Sequence, residues 1–197
     1  CLNAVAKALL TIAPEMSSRR ILALIDETED NRLRSDIIEA VGRMRTGIVT
    51  EADLAVYLDH SHHRVVASSI ISLIRLTRRR ETIEKAISRL IAMISSPVDL
   101  MRASGAAVMG ELGLPMFVPA LECLAAEQNQ IVALNSAAAL ARIQTPAAMA
   151  ALEKMLLHGD EKVSQKAEEL LEMASKDSIS RVSRLLSGIT AEERKKL

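Results

Sequence analysis

A short stretch of the 197-residue chain concentrates side chains that bind metal ions, namely Asp59, His60, His62 and His63. Imidazole nitrogens and a carboxylate are ligands that zinc and nickel accept. The stretch falls in a predicted turn between two helices, where Asp59 or Ser61 is expected to cap the following helix. Histidines that are adjacent in sequence seldom point at one ion. We therefore expect a solvated turn, with neither a bound metal nor another cofactor.

An arginine-rich stretch offers a second chemistry, the binding of anions. The candidate residues are Arg75, Arg78, Arg79 and Arg80, in what is predicted to be the longest connection between repeats. Guanidinium groups bind phosphates and carboxylates through paired hydrogen bonds. Glu81 and Glu84 follow closely and offset part of the charge. A solvated loop therefore explains the cluster more simply than an anion site does.

Catalysis by cysteine is not indicated. The chain has two cysteines, Cys1 and Cys123, and no Cys-x-x-Cys pair. Cys123 stands between Leu121 and Leu124 in a predicted helix, which indicates a small buried thiol rather than a nucleophile. Because there is no framework of disulfides, a reducing cytoplasmic setting is expected. No catalytic residue is predicted.

These residues are positioned by helices that follow a repeating pattern. A twelve-residue pattern occurs six times, with buried-type residues at offsets 0, 3, 4, 7, 8 and 11 from its first residue. The copies begin at Cys1, Leu33, Val65, Met101, Val132 and Val163, so their starts are 32, 32, 36, 31 and 31 residues apart. Such offsets lie on one face of a helix. The period predicts a stacked helical repeat without a sheet.

A further set of helices is predicted between the copies of the pattern. Thr50, Thr145 followed by Pro146, and Asp177-Ser178 have the residue types that begin helices. Each repeat is therefore a predicted hairpin, in which a first helix precedes the second helix that carries the pattern. One hairpin cannot bury its apolar face alone, so neighbouring hairpins are expected to stack.

The second helices resemble those of a known repeat family. Leu33-Arg34 through Val41-Gly42, and Met101-Arg102 through Met109-Gly110 with Gly113, place an apolar residue and Arg at the start and two apolar residues and Gly near the end. This order is similar to the short HEAT-like repeat, also called the phycobilisome-lyase type. The resemblance covers essentially the whole chain. It implies an all-α fold, a right-handed α-α superhelix of the armadillo-like solenoid class with about five hairpins and truncated terminal units.

The repeats are expected to form a single domain over residues 1–197. Their predicted bounds are 1–14 (second helix only), 16–46, 50–77, 81–113, 115–144, 145–175 and 177–197 (incomplete). Because Cys1 already stands at the first position of the pattern, the chain is expected to be a fragment of a larger protein. The alternative, a bacterial lipoprotein that begins at Cys1, is less favoured because such a cysteine leads a flexible tether.

Composition argues against several classes of function. Lys plus Arg and Asp plus Glu both number 25, so net charge gives no general attraction to nucleic acid or to an anionic membrane. Tyr57 and Phe117 supply all of the Tyr, Phe and Trp content, so bases have no stacking platform. The lack of a long uncharged apolar stretch argues against a transmembrane helix here, and is compatible with a membrane-associated parent protein.

A partner-binding groove is the main functional prediction. The resemblance implies that second helices line a concave surface, with offsets 2, 5, 6 and 9 leaning toward it. The central groove residues are Ala67, Ile70, Ile71, Ile74, Ala103, Ala106, Ala107, Leu134, Ala137 and Ala138, and the predicted polar rim is Arg43, Arg75, Glu111 and Arg142. An exposed apolar surface predicts binding of an amphipathic helix or of another copy of the chain. Close packing of neighbouring helices explains the same residues equally well.

The function favoured by these features is a non-catalytic protein-interaction scaffold or regulatory module, bacterial and cytoplasmic or on the cytoplasmic face of a membrane protein. The alternatives are a bilin lyase or isomerase subunit, a module of a bacterial membrane transporter, and a nucleic-acid-binding module. Aliphatic groove residues suit a bilin poorly. Repeat enzymes that hydroxylate a modified lysine hold di-iron with His-Glu dipeptides, and this sequence has none.

Overall fold

The computed structural model of the chain describes residues 14–44 and 49–188. Within these ranges the chain forms α-helices and two short 3-10 turns, and no strand occurs in them. The predicted all-α fold class is confirmed. The chain divides into two compact units, residues 1–112 and 113–197. The single repeat domain over 1–197 stays a prediction.

The first unit has six helices among its described residues. They are α1 (Pro14–Glu27), α2 (Asn31–Met44), α3 (Glu51–Ala55), α4 (His63–Leu76), α5 (Arg80–Ile94) and α6 (Asp99–Leu112), with a 3-10 turn over Val56–Asp59 after α3. The second helices α2, α4 and α6 carry the repeated pattern. α4 packs against both α2 and α6, and α5 packs against both α4 and α6.

The second unit has four helices in its described part. They are α7 (Val118–Ala125), α8 (Gln130–Ile143), α9 (Pro146–Met155) and α10 (Glu161–Gly188), with a 3-10 turn over Pro115–Phe117 before α7. Helix α8 packs against α7, α9 and α10. α8 is therefore the central helix of this unit.

The repeated pattern predicts the core correctly at its central offsets, whereas offsets 3 and 11 are partly exposed in most of the described copies. Offsets 4 and 7 are buried in all five copies within the described residues: Ile37, Ala40, Ser69, Ser72, Gly105, Val108, Ser136, Ala139, Ala167 and Leu170. At offset 8, Leu73, Met109 and Leu140 are at most 1% exposed. The copy that begins at Cys1 lies outside the described residues.

Helix starts were predicted with mixed success. Thr50 forms a capping box with Asp53, and the Thr145 hydroxyl accepts a hydrogen bond from the backbone N–H of Ala148 over 3.2 Å, as predicted. The prediction that Asp59 or Ser61 caps α4 is wrong. His62 is the cap, because its Nδ1 accepts from the backbone N–H of Arg64 over 3.3 Å.

The predicted helix start at Asp177-Ser178 is also wrong. Helix α10 runs without a break from Glu161 to Gly188, a length of 28 residues. Asp and Ser cost only tenths of a kcal/mol in a helix interior, whereas a break normally needs Pro or Gly. Neither occurs in this helix before Gly188. The ion pair of Lys176 with Glu172 also favours the helix up to this point.

Close approach of the second helices explains the glycine of the repeat pattern. A Cβ added at Gly42 on α2 would lie 2.7 Å from the Cα of Ser72 on α4. The Ser72 hydroxyl donates to the backbone carbonyl of Ile38 over 3.0 Å, so α2 and α4 are joined by a buried side chain as well. Gly42 is therefore required by the spacing of two backbones.

Candidate interaction face and arginine cleft

Offset 5 of the pattern is a core position in four of its five described copies, where Ile38, Ile70, Ala106 and Ala137 are each 0% exposed. In the fifth copy Glu168 occupies this offset on α10 and is exposed. Two further predicted groove residues, Ile71 and Ala103, are 6% and 4% exposed. Close packing thus accounts for half of the predicted groove residues, namely Ile70, Ile71, Ala103, Ala106 and Ala137.

The other predicted groove residues are partly exposed. They are Ala67, Ile74, Ala107, Leu134 and Ala138. Ala67 and Ile74 lie on α4, and Ala107 lies on α6, which packs against α4 in the first unit. We define the α4/α6 face as these three residues together with Arg75 and Glu111. Leu134 and Ala138 lie on α8 of the second unit.

The predicted rim residues lie at the surface and are largely paired. Arg75 Nη2 donates to Glu111 Oε2 over 3.0 Å and joins α4 to α6, with the two side chains 30% and 34% exposed. Arg43 pairs with Glu39 one turn earlier on α2. Arg142 is exposed on α8. In the first unit the ion pair of Arg75 therefore adjoins partly exposed apolar residues.

The arginine of the repeat pattern donates hydrogen bonds to backbone carbonyls at the end of the preceding helix. Arg34 Nε donates to the carbonyl of Ile25 over 2.9 Å, and its Nη2 donates to the carbonyl of Thr28. In the other matching copy, Arg102 Nη1 donates to the carbonyl of Ser96 over 2.7 Å. These carbonyls lie in the last turn of a first helix or just after it, where backbone acceptors lack helical partners. The motif arginine thus has a structural role, which sequence reasoning did not assign.

The three histidines already have polar partners. His60 Nδ1 lies 2.9 Å from the backbone nitrogen of His62, and its Nε2 lies 3.1 Å from Arg34 Nη1. A neutral imidazole accepts only one hydrogen bond, so only one of these contacts is a hydrogen bond. His63 Nδ1 lies 2.6 Å from the hydroxyl of Ser104. Among the residues described, no group of three or more His, Cys, Asp and Glu side chains could hold a metal ion.

Two of these histidines are biased toward the neutral form. Burial lowers the pKa of His60 below its ordinary value, and the charges of Arg34 and His62 lower that pKa further. Burial also lowers the pKa of His63, with added effects of His62 and Arg64. The rings of His62 and His63 stack with centroids 4.6 Å apart. The environment of the turn therefore disfavours protonation of His60 and of His63.

The arginine-rich stretch is divided between ion pairs and a cleft. Arg80 Nε lies 2.6 Å from Glu84 Oε1 within α5, and Arg75 is paired with Glu111. Arg78 and Arg79 instead line a cleft of about 520 Å³ in the first unit. This arginine cleft is lined by Val49, Thr50, Glu51, Ala52, Leu76, Arg78 and Arg79.

The prediction that these arginines lie in a long connection is wrong. Only residues 77–79 separate α4 from α5. Helix α5 has 15 residues, whereas the first helices α7 and α9 have 8 and 10. The sequence from Arg80 to Ile94 lacks Gly and Pro, so the additional residues of this repeat extend a helix.

Glu51 joins three segments beside the arginine cleft. The buried Thr77 donates from its hydroxyl to Glu51 Oε1 over 2.5 Å and accepts from the backbone N–H of Arg79 over 2.9 Å. Thr82 donates to Glu51 Oε2 over 2.8 Å. These hydrogen bonds and the charge of Arg79 lower the pKa of Glu51. Sequence reasoning missed this network because its members are 26 and 31 residues apart.

Cys123 is exposed, so the prediction of a buried thiol is wrong. Leu121 and Leu124 on the same helix are 0% and 6% exposed. A residue two positions after Leu121 points to nearly the opposite side of a helix. The apolar neighbours of Cys123 in sequence therefore do not bury it.

Comparison with known families is informative for the repeats. Residues 83–172 match the family model of HEAT repeats. This region is just under half of the chain, and its helices are similar to HEAT repeats. The matched region includes α6 and α8, whose pattern carries the resemblance in sequence. No curated protein matches the chain significantly.

Several solved structures resemble the chain in fold. An engineered protein is 15% identical, with 88% of this chain and 86% of that chain covered at a TM-score of 0.50. A designed armadillo repeat protein in complex with the peptide (KR)4 is 16% identical, with coverages of 86% and 85% and a TM-score of 0.49. Human deoxyhypusine hydroxylase in complex with glycerol is 19% identical, with coverages of 88% and 80% and a TM-score of 0.43. At these identities the likeness concerns the fold alone.

None of the described helices is both long enough and apolar enough to cross a membrane.

Proposed function

We propose that the chain is a non-catalytic protein-interaction module and that the α4/α6 face contacts the partner. Stacked helical repeats are typical of proteins that bind others through extended surfaces. The face combines partly exposed aliphatic side chains with an ion pair at its edge. These features suit an amphipathic helix, which would place its apolar side on Ala67, Ile74 and Ala107.

The observation that carries the proposal is the contrast between the α4/α6 face and α10. At offsets 2, 6 and 9, helix α10 has Gln165, Glu169 and Glu172, all of which are exposed. Glu168 at offset 5 of α10 is exposed as well, whereas Ile70 and Ala106 at this offset of α4 and α6 are buried, so packing accounts for the apolar residues at offset 5. Ala67, Ile74 and Ala107, at offsets 2, 9 and 6, stay partly exposed after folding. Packing therefore does not account for them fully, and binding gives them a role.

Binding of a partner would be favourable because it buries the apolar surface that folding leaves exposed on the α4/α6 face. Each Å² of apolar surface removed from water contributes about 25 cal/mol before the costs of association are counted. Ile74 is the largest aliphatic side chain on the face, so it is expected to contribute most. The ion pair of Arg75 with Glu111 adjoins it and would favour one orientation of the partner.

A double substitution tests the proposal. Proteins that co-purify with the wild-type chain from its source cells should no longer co-purify with the Ile74→Asp, Ala107→Arg double variant. Quantitative mass spectrometry measures the amount of each co-purifying protein. The matched control is Ile91→Asp on α5, where the wild-type side chain is already 55% exposed. Sedimentation equilibrium on the same variants tests whether the partner is a second copy.

The expected result is loss of a partner, or of a dimer, in the double variant and its retention in the control. Circular dichroism and thermal unfolding should match the wild type in both. The proposal would be contradicted if the double variant kept the same co-purifying proteins as the wild type and had the same molar mass in sedimentation equilibrium. Unfolding of the double variant would show instead that the α4/α6 face belongs to the core.

A further inference from the structure

We propose that the arginine cleft binds a small organic anion through a phosphate or carboxylate group. This site shares no residue with the α4/α6 face, and its proposed ligand is a small molecule rather than a protein. It is formed where the end of α4 and the start of α5 lie beside the start of α3.

The first step of the argument is the distribution of charge. Arg75 and Arg80 pair with Glu111 and Glu84, and their charges are thereby offset. Arg78 and Arg79 are exposed and line the cleft, where Glu51 is the one acidic residue among the described lining residues. Two guanidinium groups thus face one carboxylate. The excess positive charge favours an oxyanion, which guanidinium groups bind through paired hydrogen bonds.

The second step is the anchoring of the backbone that carries these arginines. Thr77 is 3% exposed, and its hydroxyl both donates to Glu51 and accepts from the backbone N–H of Arg79. Glu51 in turn accepts from Thr82. The backbone at residues 77–79 is therefore fixed to α3 and α5. A fixed backbone lowers the entropy lost when the arginine side chains close on a ligand.

The third step is the role of Glu51. Each of its carboxylate oxygens accepts a hydrogen bond from a threonine, and these bonds lower the pKa of Glu51. The carboxylate therefore stays ionised at neutral pH and holds the backbone in place. Because part of its acceptor capacity is used by Thr77 and Thr82, it competes less strongly for the two guanidinium groups.

The size and walls of the cleft indicate an organic ligand rather than a bare ion. Its volume of about 520 Å³ lies within the range of roughly 300–1,000 Å³ that is usual for small-molecule sites. Val49, Ala52 and Leu76 supply apolar wall, whereas Thr50 adds a hydroxyl. An apolar body attached to the anionic group would contact these side chains.

The test titrates the full chain with inorganic phosphate, phenyl phosphate and acetate at constant ionic strength. Binding is followed by the amide chemical shifts of residues 77–82. The double variant Arg78→Gln with Arg79→Gln removes both cations from the cleft. The matched control is Arg80→Gln, which removes the same type of charge from the neighbouring residue, whose side chain is 91% exposed and does not line the cleft.

We expect saturable binding of inorganic phosphate and tighter binding of phenyl phosphate, because the phenyl ring contacts the apolar wall. Acetate shows whether a carboxylate suffices. The double variant should bind phenyl phosphate at least tenfold more weakly, whereas Arg80→Gln should bind it like the wild type. The absence of saturation with all three probes would overturn the proposal. If Arg80→Gln weakened binding as much, per charge removed, as the double variant does, the proposal would also be overturned, because this would indicate general electrostatic attraction.

Discussion

At the scale of single residues, the histidine turn is a part of the chain whose stability should depend on protonation. His60 lies beside Arg34, and His63 lies beside His62 and Arg64. Protonating His60 adds a positive charge near Arg34, and protonating His63 adds one near Arg64. Because burial removes water that could screen this charge, the folded protein binds these protons less readily than the unfolded chain does.

The lowered pKa values predict a loss of stability in mild acid. The unfolded chain takes up protons at these histidines near pH 6.5, whereas the folded chain takes them up at lower pH. The unfolded state therefore binds more protons in this window, and the free energy of unfolding should fall as pH decreases from about 7 to 5.5. Urea unfolding at a series of pH values measures this dependence.

The control for this prediction is a variant with His60→Asn and His63→Asn. Its free energy of unfolding should depend less steeply on pH over the same window. If the variant and the wild type have equal slopes, then other groups determine the acid sensitivity of the protein.

The limits of sequence reasoning are clearest at this scale. Ile70 and Ile74 are the same residue type on the same helix, yet Ile70 is 0% exposed and Ile74 is partly exposed. The periodicity of one helix shows which residues share a face. It does not show how closely a neighbouring helix approaches, and this distance determines which residues are buried. The arginine cluster was found from sequence, whereas its anchoring depends on Glu51, which is 26 residues from Thr77 and 31 from Thr82.

At the scale of helices, contact between α2 and α4 depends on small residues. Gly42 permits the approach of the two backbones, and Ser72 adds a hydrogen bond to the carbonyl of Ile38. Ser35 and Ser68 lie 2.8 Å apart between their hydroxyl oxygens and extend this polar contact. The apolar positions of the pattern could be predicted from sequence because they recur. The serine contacts belong to this pair of helices and do not recur in the same form between the other second helices that the structure describes.

Gly42→Ala should therefore destabilise the protein. An added Cβ would meet the backbone of Ser72, and overpacking of this kind costs about 1–3 kcal/mol. The higher helix propensity of Ala would offset at most about 1 kcal/mol of this cost. Urea unfolding of the variant measures the net change in the free energy of unfolding.

Gly159→Ala is the matched control. A Cβ at Gly159 would meet no atom within 4 Å, so this substitution should change stability little. If Gly42→Ala were as stable as Gly159→Ala, the close approach of α2 and α4 would not constrain position 42.

At the scale of the whole molecule, the repeated pattern supplies a core to each of the two compact units. Val41 in the first unit is 4% exposed, and Leu140 in the second unit is 0% exposed. Both stand at offset 8 of their copies. The HEAT-repeat fold was predictable because burial recurs at fixed offsets. The division into two units was not, because the pattern continues through both.

Charge at offset 8 should unfold either unit. Val41→Asp and Leu140→Asp each place an unpaired carboxylate in a buried position, which costs several kcal/mol. Both variants should lose helical signal at temperatures where the wild type is folded, as measured by circular dichroism. Leu157→Asp is the control because Leu157 is 91% exposed. A wild-type melting curve for Val41→Asp or Leu140→Asp would mean that offset 8 is not a core position.

The length of α5 has a consequence for how such repeats change during evolution and design. The copies of the pattern that form α4 and α6 start 36 residues apart, those of α2 and α4 start 32 apart, and both pairs of second helices still pack together. Insertions and deletions in a first helix can therefore be absorbed without altering the packing of its neighbours. Searches for further units in related chains should allow variable spacing between second helices, and designed insertions should be placed in first helices.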